Sequence, residues 1–367
     1  MVIETLTLSG FRNYERERAE LSRGLNIFKG DNAAGKTNLL ESVYVSGVGK
    51  SLKTTQDKEM VRWGSGEAII KVVAVHRFSR HEIEIRIDLK GKKRVLIDGI
   101  PQIKMSELLG YVGIVFFSPD ELSLIKDGPS ERRRFMDISL CQQSKAYLKS
   151  LSLYNKALFQ RNKLLKSSYS KTALNDLLDA FDVQLSKSGA AVVAVRQKFI
   201  ANISSGVAEW HKKISGGLES LGLGYETRLE CGGLTDIQAA AAFLERYKAD
   251  REKDIETAFT NAGPHRDDLR VIVNGIDVRK FGSQGQQRSA ALSLKLAEIG
   301  SFRLETGEEP ILLLDDVLSE LDLARQANLI EATKGVQTIL TCTHFDAPSD
   351  LEHKEFIIKN GKIAGRT

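Results

Sequence analysis

The spacing of apolar positions separates a strand-rich beginning from a helical middle. From Ile83 to Leu89, apolar and charged residues alternate, which is the period of a half-buried strand. From Leu174 to Ile214, apolar residues instead recur every three or four positions, as they do on the buried face of an amphipathic helix. Because no proline occurs from Ser130 to Gly263, the pattern predicts long helices there.

Three dipeptides of turn-forming residues predict hairpins. Asp98-Gly99, Asn274-Gly275 and Asn360-Gly361 each lie between short apolar runs, and this composition favours the two-residue turns that join antiparallel strands. The second hairpin is expected to extend as far as Val278.

Ser118-Pro119 carries a different signal, a capping serine followed by proline, which predicts the start of a helix.

Short apolar runs near both ends of the chain predict further strands. They are Leu25 to Lys29, Tyr111 to Phe117, Ile311 to Leu314 and Thr338 to Cys342. The run at Ile311 is uninterrupted by polar residues, which is typical of a parallel strand buried on both faces. A helix is expected from about Gln286 to Arg303, so strands and helices alternate towards the carboxyl terminus.

The strongest chemical signal is a phosphate-binding loop. Residues 30 to 37 match the pattern G-x-x-x-x-G-K-[ST] in full, between a predicted strand and a predicted helix. The loop's N–H groups and the positive end of the following helix are expected to face the phosphates. Lys36 would neutralise the β- and γ-phosphates, and Thr37 would ligate Mg²⁺. The predicted nucleotide-binding residues are Gly30, Asp31, Asn32, Ala33, Ala34, Gly35, Lys36 and Thr37, with ATP and Mg²⁺ as the ligands.

Two acids follow the buried strand that begins at Ile311. Asp315 and Asp316 are placed at its carboxyl end, the edge of such sheets where ligands collect. Asp315 is the predicted second metal ligand, acting directly or through water. Asp316 is predicted to orient or deprotonate the attacking water. A solvated acidic pair at a strand end is the alternative, and the intact phosphate loop makes it less favourable.

A second anion site is predicted at the start of the late helix. Ser283, Gly285 and Gln287 open a segment rich in alanine and leucine. A serine hydroxyl, a glycine N–H and a helix N-terminus together favour an anion. A plain surface turn is the commoner explanation for such a string, but its position shortly before Asp315 favours a site that contacts nucleotide.

Length, cysteine content and net charge restrict the possible classes of protein only weakly. The chain has 367 residues, of which 42% are hydrophobic, and a net charge of +5. This length suggests two lobes, and the apolar runs are too short to cross a membrane. The three widely spaced cysteines indicate reduced thiols in a cytoplasm rather than disulfides or a zinc site. The positive charge fits either ordinary surface solvation or an affinity for polyanions such as nucleic acid.

The order of these motifs resembles the ATP-binding cassette superfamily. Ser319 to Asp322 reads Ser-Glu-Leu-Asp after the acidic pair, and Thr343-His344 follows the last buried strand. Other strings resemble one family within it, the RecF family of bacterial recombination and gap-repair ATPases. They are Leu6 to Tyr14, Phe117 to Asp120, Ser130 to Phe135, Gly263 to Leu269 and Leu314 to Asp322.

The resemblance implies a mechanism and partners. ATP would bring two chains together as a homodimer that grips single- and double-stranded DNA at gaps or junctions, and slow hydrolysis would release it. Partner proteins RecO and RecR would help to place the recombinase. His344 would contact the γ-phosphate, and Ser283 and Gly285 would act from the second chain. Arg12 and Tyr14 would lie near the adenine or ribose, with packing of the strand loop as an equal alternative.

The chain departs from the wider superfamily at two positions. The residue after Asp315 is Asp316 where most members have glutamate, and its shorter arm implies slow hydrolysis. No glutamine is evident after Phe117. A transporter ATPase subunit and a small-molecule kinase with a phosphate loop are the two alternatives. The former would normally carry the glutamate, and the latter would lack the motif from Ser283 to Gln287.

These observations predict an α/β fold with an ATPase lobe built from both ends of the chain. Lys36 and Asp315 must approach the same phosphate, so the intervening chain must leave and return. The predicted ATP-binding lobe comprises residues 1–117 and 301–367. The predicted helical lobe, residues 118–300, carries the motif that begins at Ser283.

Overall fold

A computed structural model describes residues 1–167, 171–229, 231–345 and 352–366. The strands are β1 Val2–Phe11, β2 Tyr14–Glu20, β3 Leu25–Lys29, β4 Glu67–Val75, β5 Arg80–Asp88, β6 Lys93–Ile97, β7 Ile100–Pro101, β8 Ile114–Phe117, β9 Leu221–Glu226, β10 Asp268–Val273, β11 Ile276–Asp277, β12 Ile311–Asp315, β13 Thr338–Cys342, β14 His353–Lys359 and β15 Lys362–Arg366. The α-helices are α1 Lys36–Val48, α2 Ser123–Lys126, α3 Pro129–Gln143, α4 Lys145–Leu165, α5 Lys171–Ile214, α6 Asp236–Ala249, α7 Arg251–Thr257, α8 Val278–Phe281, α9 Gln284–Thr306 and α10 Leu323–Thr333.

The chain forms two units that are discontinuous in sequence. The first contains residues 1–122, 209–218 and 291–367, and the second contains residues 123–208 and 219–290. The sequence places the boundaries after residue 117 and before residue 301. Helices α5 and α9 each contribute residues to both units, and the predicted division into an ATP-binding lobe and a helical lobe stays a prediction.

The first unit contains two sheets. One has the strand order β15-β14-β3-β13-β12-β8, and the other has the order β2-β1-β4-β5-β6-β7. Strands β14, β3, β13, β12 and β8 run parallel to one another, whereas the second sheet is antiparallel. Helix α1 contacts strands of both sheets and is buried on nearly all sides, as expected for a helix enclosed in a core.

The parallel sheet places several loops at one edge. Since parallel strands end on the same side, the carboxyl ends of β3, β13 and β12 are neighbours. Leu314 in β12 pairs with Leu340 in β13, and Cys342 pairs with Lys29 in β3. The predicted buried strand at Ile311 is therefore confirmed, since all of β12 is buried. This edge carries the candidate site.

The second unit is mainly helical. Its long helix α5 has 44 residues in all and ends in the first unit, and a small antiparallel sheet has the order β11-β10-β9. The predicted long helices are confirmed. Among the described helices, none combines the length and the apolar composition that crossing a membrane requires.

The turn predictions are confirmed in part. Ile97 pairs with Ile100, Val273 with Ile276 and Lys359 with Lys362, so all three hairpins form. One finer prediction is wrong: Val278 begins helix α8, in which Asp277 caps the Arg279 N–H. The predicted helix start after Ser118 is a 3₁₀ helix, Pro119–Leu122, which leads directly into α2 at Ser123.

Candidate nucleotide-binding site

The phosphate loop joins β3 to α1 at the carboxyl edge of the parallel sheet. Gly35 has a φ of 119°, outside the range that side chains favour, and caps the helix that begins at Lys36. A Cβ at Gly30 would lie 2.4 Å from the Ile358 carbonyl oxygen. Glycine is therefore required at both ends of the loop, once for its backbone angles and once for space.

Lys36 is buried without a negative partner among its observed contacts. Its side chain is 7% exposed, and Nζ donates to the carbonyl oxygens of Gly30 at 2.6 Å and Asp31 at 3.1 Å. An ammonium group held only by carbonyl oxygens keeps a strong attraction for an anion. This arrangement fits the predicted contact with phosphate.

The two predicted metal ligands are in contact. Thr37 Oγ1 donates to Asp315 Oδ1 at 3.1 Å, although the residues are 278 positions apart in sequence. Thr341 Oγ1 donates to the same oxygen at 2.6 Å. Burial raises the pKa of Asp315, and the hydrogen bonds from Thr341 and Thr37 oppose that shift. The two hydroxyl groups that donate to the Asp315 carboxylate are neutral, so they do not cancel its negative charge.

This donor set fits Mg²⁺. A hydroxyl and a carboxylate are hard oxygen ligands, and Mg²⁺ is usually held by one or two protein oxygens together with water and substrate phosphate. Within the described residues, no group of three or more histidine, cysteine, aspartate or glutamate side chains forms a metal site of its own. A metal at Thr37 and Asp315 would therefore need a phosphate to complete its shell.

Asp316 and His344 lie at the same edge of the sheet. Asp316 is half-buried and has a φ of 51°, and its N–H donates to both the carbonyl and the hydroxyl of Thr341. His344 follows β13 and is exposed. Their predicted contacts with water and γ-phosphate stay predictions.

Arg12 and Tyr14 pack within the protein. Arg12 donates from Nε and Nη2 to the two oxygens of the buried Glu41 at 2.8 and 2.7 Å. Tyr14 is fully buried, and its hydroxyl donates to the Gly35 carbonyl at 3.0 Å. These contacts are those of the packing alternative, and a contact with adenine or ribose stays a prediction.

The segment that opens α9 is a capping box in the second unit. Ser283 Oγ accepts from the Gln286 N–H at 3.2 Å, and Gln286 Oε1 accepts from the Ser283 N–H at 2.9 Å. The Gln287 side chain donates to the Val278 carbonyl. A Cβ at Gly285 would contact only Ser283 Oγ, at 3.9 Å. The N-terminus of α9 is therefore capped, and the space beside Gly285 is open.

The arginine-rich string is largely internal. Arg132 is 3% exposed and donates to both oxygens of Asp268 at 2.7 and 2.9 Å. Arg133 donates to the Asp267 carbonyl. Only Arg134 among these three arginines is exposed. The strings Ser130 to Phe135 and Gly263 to Leu269 thus hold each other together.

Sequence reasoning missed Thr341 and the supports of the phosphate loop. The Thr341 hydroxyl contacts Asp315 because β13 lies beside β12, and strand order is not encoded in local spacing. The string Ser319 to Asp322 makes local contacts. Ser319 Oγ donates to the Asp316 carbonyl, and the Asp322 side chain caps α10. The side chain of Glu320 lies outside the described part of the chain.

Comparison with known proteins decides the family. The family described as the RecF/RecN/SMC N terminal domain matches residues 2–353. The DNA replication and repair protein RecF of Lachnoclostridium phytofermentans is 48% identical over 347 residues, which cover 94% of this chain and 93% of that protein. The chain belongs to the RecF family. RecF of Clostridium botulinum strain Langeland is 41% identical over 368 residues and covers 99% of each.

Solved structures agree with this membership. The recombination mediator protein RecF with ATPrS, from the RecFOR pathway, is 31% identical with a TM-score of 0.88, covering 99% of this chain and 97% of that one. An Smc head bound to the C-winged helix domain of ScpA is 18% identical with a TM-score of 0.58, covering 98% of this chain and 94% of that one. The second likeness shows the fold alone. The predicted α/β ATPase fold is confirmed.

Proposed function

We propose that this RecF-family chain is an ATP-dependent DNA-binding protein of recombinational and replication-gap repair in the cytoplasm. The observation that carries the proposal is the 3.1 Å hydrogen bond between Thr37 and Asp315. It joins the two halves of a magnesium–nucleotide site from opposite ends of the chain. Relatives named for replication and repair, one of them solved with ATP, supply the biological context.

The residues of the loop have separate tasks in binding. Lys36 would move from the carbonyls of Gly30 and Asp31 to the β- and γ-phosphates, while the loop's N–H groups hold the phosphate oxygens. Thr37 and Asp315 would hold Mg²⁺, which supplies charge neutralisation to the phosphates. Asp316 would orient the attacking water or accept its proton. Since its side chain is shorter than glutamate, slow hydrolysis is expected, which suits a switch.

The second anion site favours a nucleotide shared between two copies. Ser283 Oγ accepts the Gln286 N–H and keeps its own hydroxyl hydrogen for donation to an anion. Gly285 exposes backbone beside it, at the positive end of a helix of 23 residues. In the proposed ATP-dependent homodimer, Ser283, Gly285 and Gln287 of one chain would approach the γ-phosphate that Lys36 of the other chain binds. His344 would contact that phosphate from the same chain as Lys36.

A mixing experiment tests this sharing. Lys36→Ala and Ser283→Arg would each abolish ATPase activity alone. A mixed dimer would contain one doubly altered site and one intact site, so partial activity should return. Absence of recovery, together with a wild type that stays monomeric in sedimentation with ATP bound, would contradict the shared site.

DNA binding is proposed to use exposed basic groups. Arg132 and Arg133 are committed to internal partners, which leaves other cations for phosphate contacts. The exposed candidates are Lys90, Lys92, Arg94 and Arg134. Binding to the sugar–phosphate backbone would be independent of sequence, and each contact would contribute about −0.9 to the log–log salt slope on duplex DNA. RecO and RecR are the proposed protein partners.

Fluorescence anisotropy with a gapped duplex, at several salt concentrations, tests the function. ATP should strengthen binding, salt should weaken it steeply, and Lys36→Ala should lose only the effect of ATP. Equal binding with and without ATP, or a flat salt response, would overturn the proposal. A transporter subunit would instead sediment with membranes, and a kinase would phosphorylate a small molecule without responding to DNA.

A further inference from the structure

Two turns outside the phosphate loop contact its last carbonyl groups. The Asn13 side chain, in the turn between β1 and β2, donates from Nδ2 to the Ala34 carbonyl oxygen at 3.1 Å. The Gly361 N–H, in the turn between β14 and β15, donates to the same oxygen at 2.9 Å. Tyr14 donates to the next carbonyl, that of Gly35. We call Asn13, Tyr14 and Gly361 the outer clamp.

The outer clamp is built with fixed geometry. Asn38 Nδ2 donates to Asn13 Oδ1 at 2.9 Å, so the Asn13 amide must turn its nitrogen towards Ala34. The Tyr14 hydroxyl is protonated at neutral pH and can only donate to the Gly35 carbonyl. Gly361 has a φ of 71°, and a Cβ there would lie 2.3 Å from the Asn13 carbonyl oxygen. The two turns thus touch each other as well as the loop.

Holding a carbonyl orients the N–H group in the same peptide plane. In a trans peptide the C=O and N–H bonds point in opposite directions. The plane that contains the Ala34 carbonyl also contains the Gly35 N–H, and the plane of the Gly35 carbonyl contains the Lys36 N–H. Donors that bind these two carbonyls from outside the loop therefore direct those two N–H groups away from the clamp.

The described bonds within the loop hold its first part and leave its end to outside partners. Asp31, Asn32 and Ala33 are exposed. The Ala34 N–H donates to the Asp31 carbonyl at 3.2 Å, and the Lys36 side chain donates to the carbonyls of Gly30 and Asp31, so none of these bonds holds the Ala34 or Gly35 carbonyl. Gly35 also receives the Leu39 N–H, as the first turn of α1 requires. The Tyr14 bond is thus additional to what the helix needs.

We propose that the outer clamp is a set of positioning residues that preorganises the phosphate loop for nucleotides. The proposal rests on the proposed function, since it assumes that the loop binds ATP. The clamp should affect nucleotide binding and leave the rate of hydrolysis unchanged. Loss of a clamp bond should weaken ATP and ADP alike, because both carry the phosphates that the loop's N–H groups hold. The rate of hydrolysis at saturating ATP should be retained, because no clamp residue reaches the catalytic carboxylates.

Two variants with matched controls test this. Tyr14→Phe removes one hydrogen bond and keeps the ring, so calorimetry should show about three- to tenfold weaker binding of both ATP and ADP, with kcat within about twofold. Gly361→Ala should weaken binding at least as much, because its Cβ forces the two turns apart. Gly335→Ala adds the same backbone strain at a φ of 80° in open space, and Gly365→Ala adds a methyl group 3.6 Å from Ile357 in the same hairpin. Both controls should bind as the wild type does.

The outcomes separate the two proposals. Unchanged affinity in Tyr14→Phe, which is the variant least able to disturb folding, would overturn the clamp and leave the proposed function standing. An equal loss in the two glycine controls would also overturn it, since general destabilisation would then be the cause. A wild type that binds no ATP would instead refute the proposed function.

Discussion

The helical second unit and the phosphate loop of the first unit both bury charged side chains, but they satisfy them differently. In the second unit, Arg161, Asp182 and Asp254 are all 0% exposed. Arg161 donates to Asp182 and Asp254 at 2.7 Å each, and Asp182 also pairs with Arg251. Opposite charges are thus paired inside the protein, and their attraction offsets part of the cost of burying them.

At the nucleotide-binding site, by comparison, Lys36 and Asp315 have no hydrogen-bonded partner of opposite charge among their described contacts. Lys36 is held by two carbonyls and Asp315 by two hydroxyls. These contacts satisfy hydrogen bonds without cancelling charge. The difference separates paired charges that serve folding from Lys36 and Asp315, for which we propose a phosphate and a metal as the respective ligands.

The largest expected effect comes from breaking the matched network. Asp254→Ala removes one of the two carboxylates that pair with Arg161. It also removes the acceptor of the Asn261 N–H. We expect a loss of about 3–5 kcal/mol in the free energy of unfolding, measured with urea. Glu256→Ala, which removes an exposed acid from the same helix, should cost under about 0.5 kcal/mol. Similar losses in both variants would contradict the distinction.

A smaller effect is expected from a histidine in the second unit. Burial lowers the pKa of His265 to about 4, and its Nε2 contacts the Thr260 carbonyl while Nδ1 contacts the Tyr154 hydroxyl. The unfolded chain therefore takes up the proton first as pH falls from about 6.5 to 4, which costs the folded state roughly 3 kcal/mol in total.

Urea unfolding at pH 7.5 and pH 4.5 measures this loss. His265→Gln cannot titrate, so its stability should fall less over that interval than that of the wild type. Because carboxylates titrate in both proteins, the difference between the two declines is the readout. Parallel declines would show that His265 does not contribute.

Unmatched charges should affect binding rather than folding. Lys36→Ala removes a charge-assisted contact to phosphate, and we expect ATP affinity to fall by about 1.5–3 kcal/mol. The melting temperature without nucleotide should stay close to that of the wild type. Lys58→Ala, an exposed lysine of the same unit, is the control. Unaltered ATP affinity in a folded Lys36→Ala variant would show that Lys36 does not bind the phosphates.

The smallest effect has the opposite sign. Since the folded pKa of Asp315 is raised, the cost of burying its charge is present at pH 7, and a neutral side chain avoids it. Asp315→Asn should therefore raise the unfolding free energy of the ligand-free protein by about 0.5–2 kcal/mol while abolishing Mg²⁺-dependent hydrolysis. A destabilised variant at pH 7 would show that the carboxylate serves the fold.

The sequence alone predicts the strand–loop–helix context of the phosphate loop and the buried strand β12, because both depend on local spacing. It does not predict which side chains surround them. Thr341 reaches Asp315 only through the strand order, and Gly361 reaches Ala34 from the far end of the chain. Arg132 illustrates the same limit, because its partner Asp268 lies 136 positions away in the sequence. Long-range pairing decides these contacts, and a single sequence carries no direct record of it.

Calorimetric titration of ATP into the wild type, with Mg²⁺ and with excess EDTA, tests the central claim most directly. If Lys36 and Asp315 await ligands of opposite charge, ATP should bind clearly more tightly with Mg²⁺. In Asp315→Asn this dependence on Mg²⁺ should largely disappear, and in Lys36→Ala affinity should fall under both conditions. Equal affinity for ATP with and without Mg²⁺ in the wild type would contradict the account.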